Sequence, residues 1–296
     1  MLTDRIPKSA RPSNLTAGDR VGIVWPSGPA SPERADKGLA CVRAMGLEPV
    51  LFPSDGGSHG FLAGSDASRA RALEQAFADP TLSAVWCMRG GYGCIRTLEH
   101  VRLDRFSGSD KVLIGFSDIT ALLLNVGVSV IHGPVVTQTA DLNPEALAHL
   151  QGVLMGDIGA VALDPDARVL RPGAIEGPLM AGNLSVMASL VGTGWLPSFE
   201  GAVLVLEDVG EPTYRIDRML TQLILSDALF GVAGLVIGRF SGVTIDPDEL
   251  DEVIIGAARA LEVPVVRGIA VGHTADNRAL PLGRPCVVTD DAIRWS

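Results

Sequence analysis

The segment Lys111–Thr120, KVLIGFSDIT, holds a serine in a setting suited to nucleophilic chemistry. An apolar, β-branched run at Val112–Ile114 leads through Gly115 and Phe116 to Ser117, Asp118 and an apolar stretch with helical spacing. That order predicts strand, tight turn and helix, with Ser117 at the turn. A serine there is lifted off the sheet edge. The amide after it lies at a helix N-terminus, where partial positive charge favours an oxyanion. Serine is also a preferred helix N-cap, so a purely capping role fits the same stretch. GFSDI is not a full GxSxG elbow, because Ile119 stands where the second glycine would be.

A serine nucleophile needs a base, a group that orients the base, and oxyanion donors. The chain has five histidines. His100 and His149 fall in predicted helices among charged neighbours and are expected at the surface, and His59 lies in a glycine loop. His132 follows a strand as a site-lining or structural residue. His273, in VGHTADN, sits at a strand exit among small neighbours and suits either a base or a structural role. Glu207 ends the apolar run LVLED. A carboxylate there can orient an imidazole across a domain junction, or be a solvated turn acid beside Asp208.

The loop RGGYG, residues 89–93, has consecutive glycines that let backbone amides face a ligand. The amide after Gly90 or Gly91 can donate to an oxyanion. No GxxxxGK[ST], HExxH, HxxxH or CxxC pattern occurs, so neither a phosphate loop nor a metal site is expected. The four cysteines read as reduced, packed thiols, with Cys94, beside the glycine loop, as the alternative nucleophile.

These residues need a frame. The chain has 296 residues, 47% of them hydrophobic, enough for a large core and, at about 150 residues per domain, for two domains. Strands at Arg20–Trp25, Glu48–Phe52, Ser83–Met88 and Lys111–Phe116 alternate with helices at Glu33–Met45, Asp66–Ala78 and Gly93–His100. This spacing predicts an α/β fold with a doubly wound parallel sheet. Functional loops of such sheets gather at the strand carboxyl ends, where RGGYG and FSD both lie. The polar, glycine- and proline-rich run after Gly156 predicts an N-terminal domain at 1–156, a linker at 157–178 with room for short strands, and a C-terminal domain at 179–296.

The net charge is −10, from 24 basic and 34 acidic residues, and no basic run interleaves with aromatics. Nucleic-acid and anionic-membrane partners are therefore not expected. The N-terminus lacks the apolar core of a signal peptide, and the most apolar window, Ile119–Ile131, is too short to cross a bilayer. The expected location is cytoplasmic.

Taken together, the motifs resemble the LD-carboxypeptidase family of serine peptidases, which includes muramoyltetrapeptide carboxypeptidases and microcin C immunity hydrolases. The resemblance is carried by GDRVGIVWPSGP, MRGGYG, GFSDIT, HGP, AGNLS, LEDVGEPTYRIDRML and GHTADNRALPLG, seven motifs in the family's order. Departures such as Trp25 and Ala181 lie outside the residues that would do chemistry. The resemblance implies a Ser117–Glu207–His273 triad, the serine on the N-terminal domain and the other two on the C-terminal one. It implies oxyanion donors at the amides of Gly91 and Asp118. It also implies a flavodoxin-like N-terminal sheet, a smaller swivelling β/α C-terminal domain, a cytosolic homodimer, and no metal or cofactor.

The activity so implied is hydrolysis of an L,D amide bond, releasing D-alanine from murein tetrapeptides in cell-wall recycling. Arg89 is the expected cation for the substrate's terminal carboxylate, with Gly90 and Tyr92 of the same loop also against substrate. A microcin C-type hydrolase acting on aminoacyl-nucleotide analogues would need an aromatic surface for the nucleobase, for which Trp195 is the candidate. A non-catalytic small-molecule-binding protein on the same two-domain plan is the remaining reading.

Overall fold

The computed structural model describes residues 14–296 apart from Gly56 and Ser107, so most of the expected lead-in at 1–18 lies outside the described residues. The first half alternates strands and helices. The strands are β1 (Arg20–Val24), β2 (Glu48–Phe52), β3 (Ala84–Cys87), β4 (Val112–Gly115) and β5 (Ser129–His132). The helices are α1 (Pro32–Ala44), α2 (Asp66–Ala78), α3 (Cys94–Leu98), α4 (Thr120–Leu123), α5 (Val136–Thr139) and α6 (Pro144–Met155). The second half comprises β6 (Ala160–Arg171), β7 (Ile175–Asn183), α7 (Leu184–Leu190), β8 (Val203–Val209), α8 (Thr213–Leu225), β9 (Gly234–Ser241), α9 (Pro247–Leu261) and β10 (Val265–Ile269). It ends with β11 (Leu280–Pro281), β12 (Pro285–Val288) and β13 (Ala292–Trp295).

Helix boundaries follow local chemistry. Ser31 caps α1 by accepting the Arg34 amide proton, Pro32 opens the helix, and Gly46 at φ 84° takes the left-handed position just past its end. Strands β3 and β4 are buried at every residue, as parallel strands covered on both faces must be. The first sheet runs β2-β1-β3-β4-β5, the order of a flavodoxin-like doubly wound sheet, with all these strands parallel.

The second half closes into a barrel, β10-β6-β13-β12-β7-β8-β9, in which the parallel strands β7, β8, β9 and β10 alternate with α7, α8 and α9. One expectation is corrected here. Residues 157–178, expected as a linker, contain β6, paired with β10 and β13, and the start of β7. The proline signal misled because Pro165 lies where the β6–β10 register slips, between the pairs Leu163–Ile269 and Arg168–Arg267, so no ladder bond needs its missing N–H.

The two halves interlock. β11, from the far end of the chain, joins the first sheet antiparallel to β5, with Leu280 opposite His132. His149, expected at the surface, is buried with Nε2 3.2 Å from the Ala160 carbonyl, and burial pushes its pKa down to about 4.

Helix α1 packs on α5 with no room for a side chain at Gly38, where a Cβ would collide with the Val136 carbonyl. Gly38→Ala would add about 1 kcal/mol of helix propensity. Overpacking against backbone costs about 1–3 kcal/mol and should win. The expected result is a lower urea midpoint at unchanged slope. A higher midpoint would show that α5 gives way freely.

Candidate active site

Ser117 follows β4 directly. Phe116 is extended, and the chain then turns through a 3-10 segment, Ser117–Ile119, into α4. Ser117 has φ 64°, a left-handed conformation that costs an L-residue on the order of 1 kcal/mol. Two glycines make the turn possible. A Cβ at Gly115 would lie 2.8 Å from Ile119 Cγ2, and one at Gly90 would lie 3.1 Å from Ser117 Oγ. The absent second elbow glycine is thus compensated on the other side of the contact, by Gly115 facing Ile119.

Glu207 stands near the end of β8 and is fully buried. The β8–β9 register shifts between Leu206 and Asp208. His273 lies in the loop after β10, and its Nδ1 is 2.8 Å from Glu207 Oε2. Its Nε2 is 2.9 Å from Ser117 Oγ. An ionised carboxylate only accepts, so Nδ1 carries the proton and Nε2 is left to accept from the serine hydroxyl. The Phe116 ring packs on the imidazole, centroids 4.6 Å apart. The three residues are therefore joined in one hydrogen-bonded line, although 156 residues separate Ser117 from His273.

Residues 21–133 match the LD-carboxypeptidase N-terminal domain model, and residues 176–288 match the C-terminal domain model. The chain belongs to the LD-carboxypeptidase family. The murein tetrapeptide carboxypeptidase of Pseudomonas aeruginosa is 33% identical, over 93% of this chain and 95% of that one. The crystal structure of muramoyltetrapeptide carboxypeptidase from Oxalobacter formigenes superposes with TM-score 0.80 at 27% identity, over 93% and 97% of the two chains. An MccF-like protein from Bacillus anthracis shares the fold at TM-score 0.85 and 22% identity, over 96% and 98%.

In this family member Ser117 and His273 open onto a cleft of about 530 Å³, lined also by Arg89, Gly90, Gly91, Gln138 and Thr274, while Glu207 stays buried beneath His273. It lies at the carboxyl ends of β3 and β4, beside the turn that follows β1. Arg89 donates to the Pro29 carbonyl and pairs with no carboxylate among the described residues. Asp118 is buried, and its Oδ2 accepts from Ser27 Oγ (2.5 Å) and from the Cys94 amide (2.9 Å). The residue after the serine thus ties the β1 turn, the start of α3 and the β4 turn together. Tyr92 is not among the cleft-lining residues, and its half-exposed ring meets Phe61 edge-on, centroids 5.4 Å apart.

Cys94 is fully buried. Its thiol is pushed well above its ordinary range, first by burial and then by the Asp118 charge, which removes it as a nucleophile. Trp195 does not line the cleft, and its indole donates to Glu99 Oε1 at 2.8 Å. His132 is fully buried behind Phe116, and burial holds its pKa down at about 3. Asp208 accepts from the Ser185 amide and the Asn183 side chain at the start of α7, and Asp276 pairs with Arg278. Both serve turns.

The loop carrying His273 is held largely by the first half of the chain. The Gly272 amide donates to buried Asn277 Oδ1, Asn277 Nδ2 donates to Gln138 Oε1, and Gln138 Nε2 donates to the Thr274 carbonyl. The Asn143 amide donates to Ala275, and Arg278 donates to the Glu145 carbonyl. Behind the serine, the Asn183 amide donates to buried Thr120 Oγ1, 3.0 Å away. Sequence reasoning missed Ser27, Gln138 and Asn277. Asn277 lies inside the GHTADN motif and was within reach, whereas nothing local marks Gln138.

Proposed function

We propose that this chain is a serine-type LD-carboxypeptidase that releases the terminal D-alanine of murein tetrapeptides through an acyl-enzyme. The observation that carries the reading is the line from Glu207 Oε2 through His273 to Ser117 Oγ, with both links inside 3.0 Å. In this reading Ser117 attacks the carbonyl of the L,D amide bond while His273 Nε2 takes its proton. Glu207 holds the ring tautomer and stabilises the imidazolium, and the amides of Gly91 and Asp118 donate to the tetrahedral oxyanion. His273 returns the proton to the departing amine. Water, deprotonated by the same imidazole, then hydrolyses the ester. No metal or cofactor is called for.

Arg89 is assigned the substrate's terminal carboxylate, since it is a cleft cation without a carboxylate partner. Arg89→Ala should raise KM for an LD-tetrapeptide about tenfold or more, equivalent to about 1.4 kcal/mol of lost binding, with a smaller change in kcat. Unchanged kinetics would remove Arg89 from the site.

Phe116 is the one Phe, Tyr or Trp among the cleft residues, and Trp195 is absent from them, which favours a peptide over an aminoacyl-nucleotide substrate. The deciding assay compares D-alanine release from an LD-tetrapeptide with cleavage of an aminoacyl-sulfamoyl adenosine. Faster turnover of the adenylate would overturn the peptide reading, and ligand recovered intact from both would favour a binding protein. The same proposal includes a cytoplasmic homodimer acting in cell-wall recycling, with the N-terminal domain ending near Gly156.

A further inference from the structure

The two amides assigned to the oxyanion belong to different turns, Gly91 to the one after β3 and Asp118 to the one after β4. Such a pair works only while both donors lie about 2.7–3.1 Å from one oxygen, so the spacing of the turns has to be fixed. Strand pairing does not fix it, because the β3–β4 ladder stops at Trp86 and Ile114. Among the described residues, the hydrogen bonds that cross from the β4 turn to its two neighbours run through the Asp118 side chain.

Asp118 Oδ2 accepts from the Cys94 amide, just past the glycine loop, at 2.9 Å, and from Ser27 Oγ at 2.5 Å. Ser27 is fully buried in the turn after β1, and the amide of the next residue, Gly28, donates to the Gly90 carbonyl at 3.2 Å. The loop is therefore held on both sides of Gly91. From α2, fully buried Arg69 donates to the Gly93 carbonyl at 2.9 Å and to the Pro26 carbonyl. It joins the β1 and β3 turns to each other but leaves the serine's turn to Asp118.

A carboxylate at this place calls for a reason. Its charge, one side chain away from a forming oxyanion, opposes the reaction, and its burial is unfavourable in itself. What it supplies is acceptor strength. Hydrogen bonds to a carboxylate are short and about twice as strong as neutral ones, and one oxygen can hold two donors.

We propose that the Asp118 carboxylate is a positioning group that sets the Gly91 amide against the Asp118 amide, so that both reach the tetrahedral oxyanion. The residue after the nucleophile then acts twice, its amide as a donor and its side chain as the clamp on the other donor. The proposal rests on the carboxypeptidase mechanism above and adds what keeps its two donors in register.

The test pairs kinetics on an LD-tetrapeptide with a probe of the oxyanion, a peptide whose scissile carbonyl is replaced by a trifluoromethyl ketone. Ser117 Oγ bonds to the ketone carbon, the serine proton passes to His273 Nε2, and the carbonyl oxygen becomes a hemiketal oxyanion whose titration is read by fluorine NMR. Asp118→Ala should lower kcat about 100-fold with KM changed less than about threefold, and its hemiketal should titrate about two pH units higher than in wild type. Asp118→Asn keeps an acceptor for the Cys94 amide and should recover kcat to within about tenfold of wild type. Ser27→Ala removes one anchor and should lower kcat about tenfold, with the hemiketal moved in the same direction. Ile254→Val, buried in α9 of the barrel, is the stability control, with a lower thermal midpoint but unchanged kcat and titration.

If Asp118→Ala does not fold, Ser27→Ala carries the test. Unchanged kcat in the alanine variants, or hemiketals that titrate as in wild type, would overturn the proposal alone. A wild type that neither cleaves the tetrapeptide nor forms the hemiketal would overturn the carboxypeptidase reading, and this proposal with it.

Discussion

Replacing Ser117 by alanine should lower kcat for D-alanine release on the order of 10⁶-fold while the protein still folds and binds peptide. The hydroxyl is the group whose proton His273 Nε2 accepts across 2.9 Å, and alanine has nothing to put there. The backbone supplies an independent readout. At φ 64° Ser117 is strained, and Ser117→Gly should relieve on the order of 1 kcal/mol of that strain and raise the thermal midpoint over Ser117→Ala. Stability and activity would then move in opposite directions at one position, as expected of strain held for a reaction. More than a small fraction of wild-type turnover in Ser117→Ala would end the nucleophile assignment.

Glu207→Gln should lower kcat by about 10⁴-fold with little change in KM. Glutamine fits the buried space, so the loss should come from chemistry rather than unfolding. Its amide can donate to His273 Nδ1, which would put the ring proton on Nε2, the atom 2.9 Å from Ser117 Oγ. The base would then face the nucleophile already protonated. Rates within about tenfold of wild type would mean that Glu207 only fills space. A thermal scan separates the two causes, because misfolding would lower the midpoint and tautomer loss would not.

How legible the molecule was in its sequence depended on the range of each interaction. The first sheet was readable because β1–β4 alternate with helices at regular spacing, and each strand is a short apolar run closed by a turn signal. The turn at Ser117 was readable for the same reason. The barrel was not, because its closure depends on β6, β12 and β13 pairing across the chain, and β6 carries a proline. In the site, Ser117, Glu207 and His273 each had an equally plain structural role when read locally, Ser117 as a helix cap. Nothing within a few residues says that Glu207 lies under His273, since the contact spans 66 residues. Family motifs supplied that link where local physics could not. The direction of the Tyr92 ring was not legible, because sharing a loop with Gly90 and Gly91 does not fix it. Gln138 was invisible because its bonds to Asn277 and Thr274 exist only after α5 has packed against the loop with His273.

The two-residue strand Leu280–Pro281 has a consequence for biosynthesis. Strand β5 is in place early in the chain, and its outer edge waits for β11, added roughly 150 residues later, on the order of ten seconds at ribosomal speeds. Until then a buried, apolar strand presents open hydrogen-bonding groups, the kind of edge on which nascent chains associate wrongly. The same late segment holds down the loop with His273, through Arg278 and the Leu282 amide bound to Val130. A ribosome-bound chain that lacks this segment carries Ser117 without the contacts that seat the His273 loop.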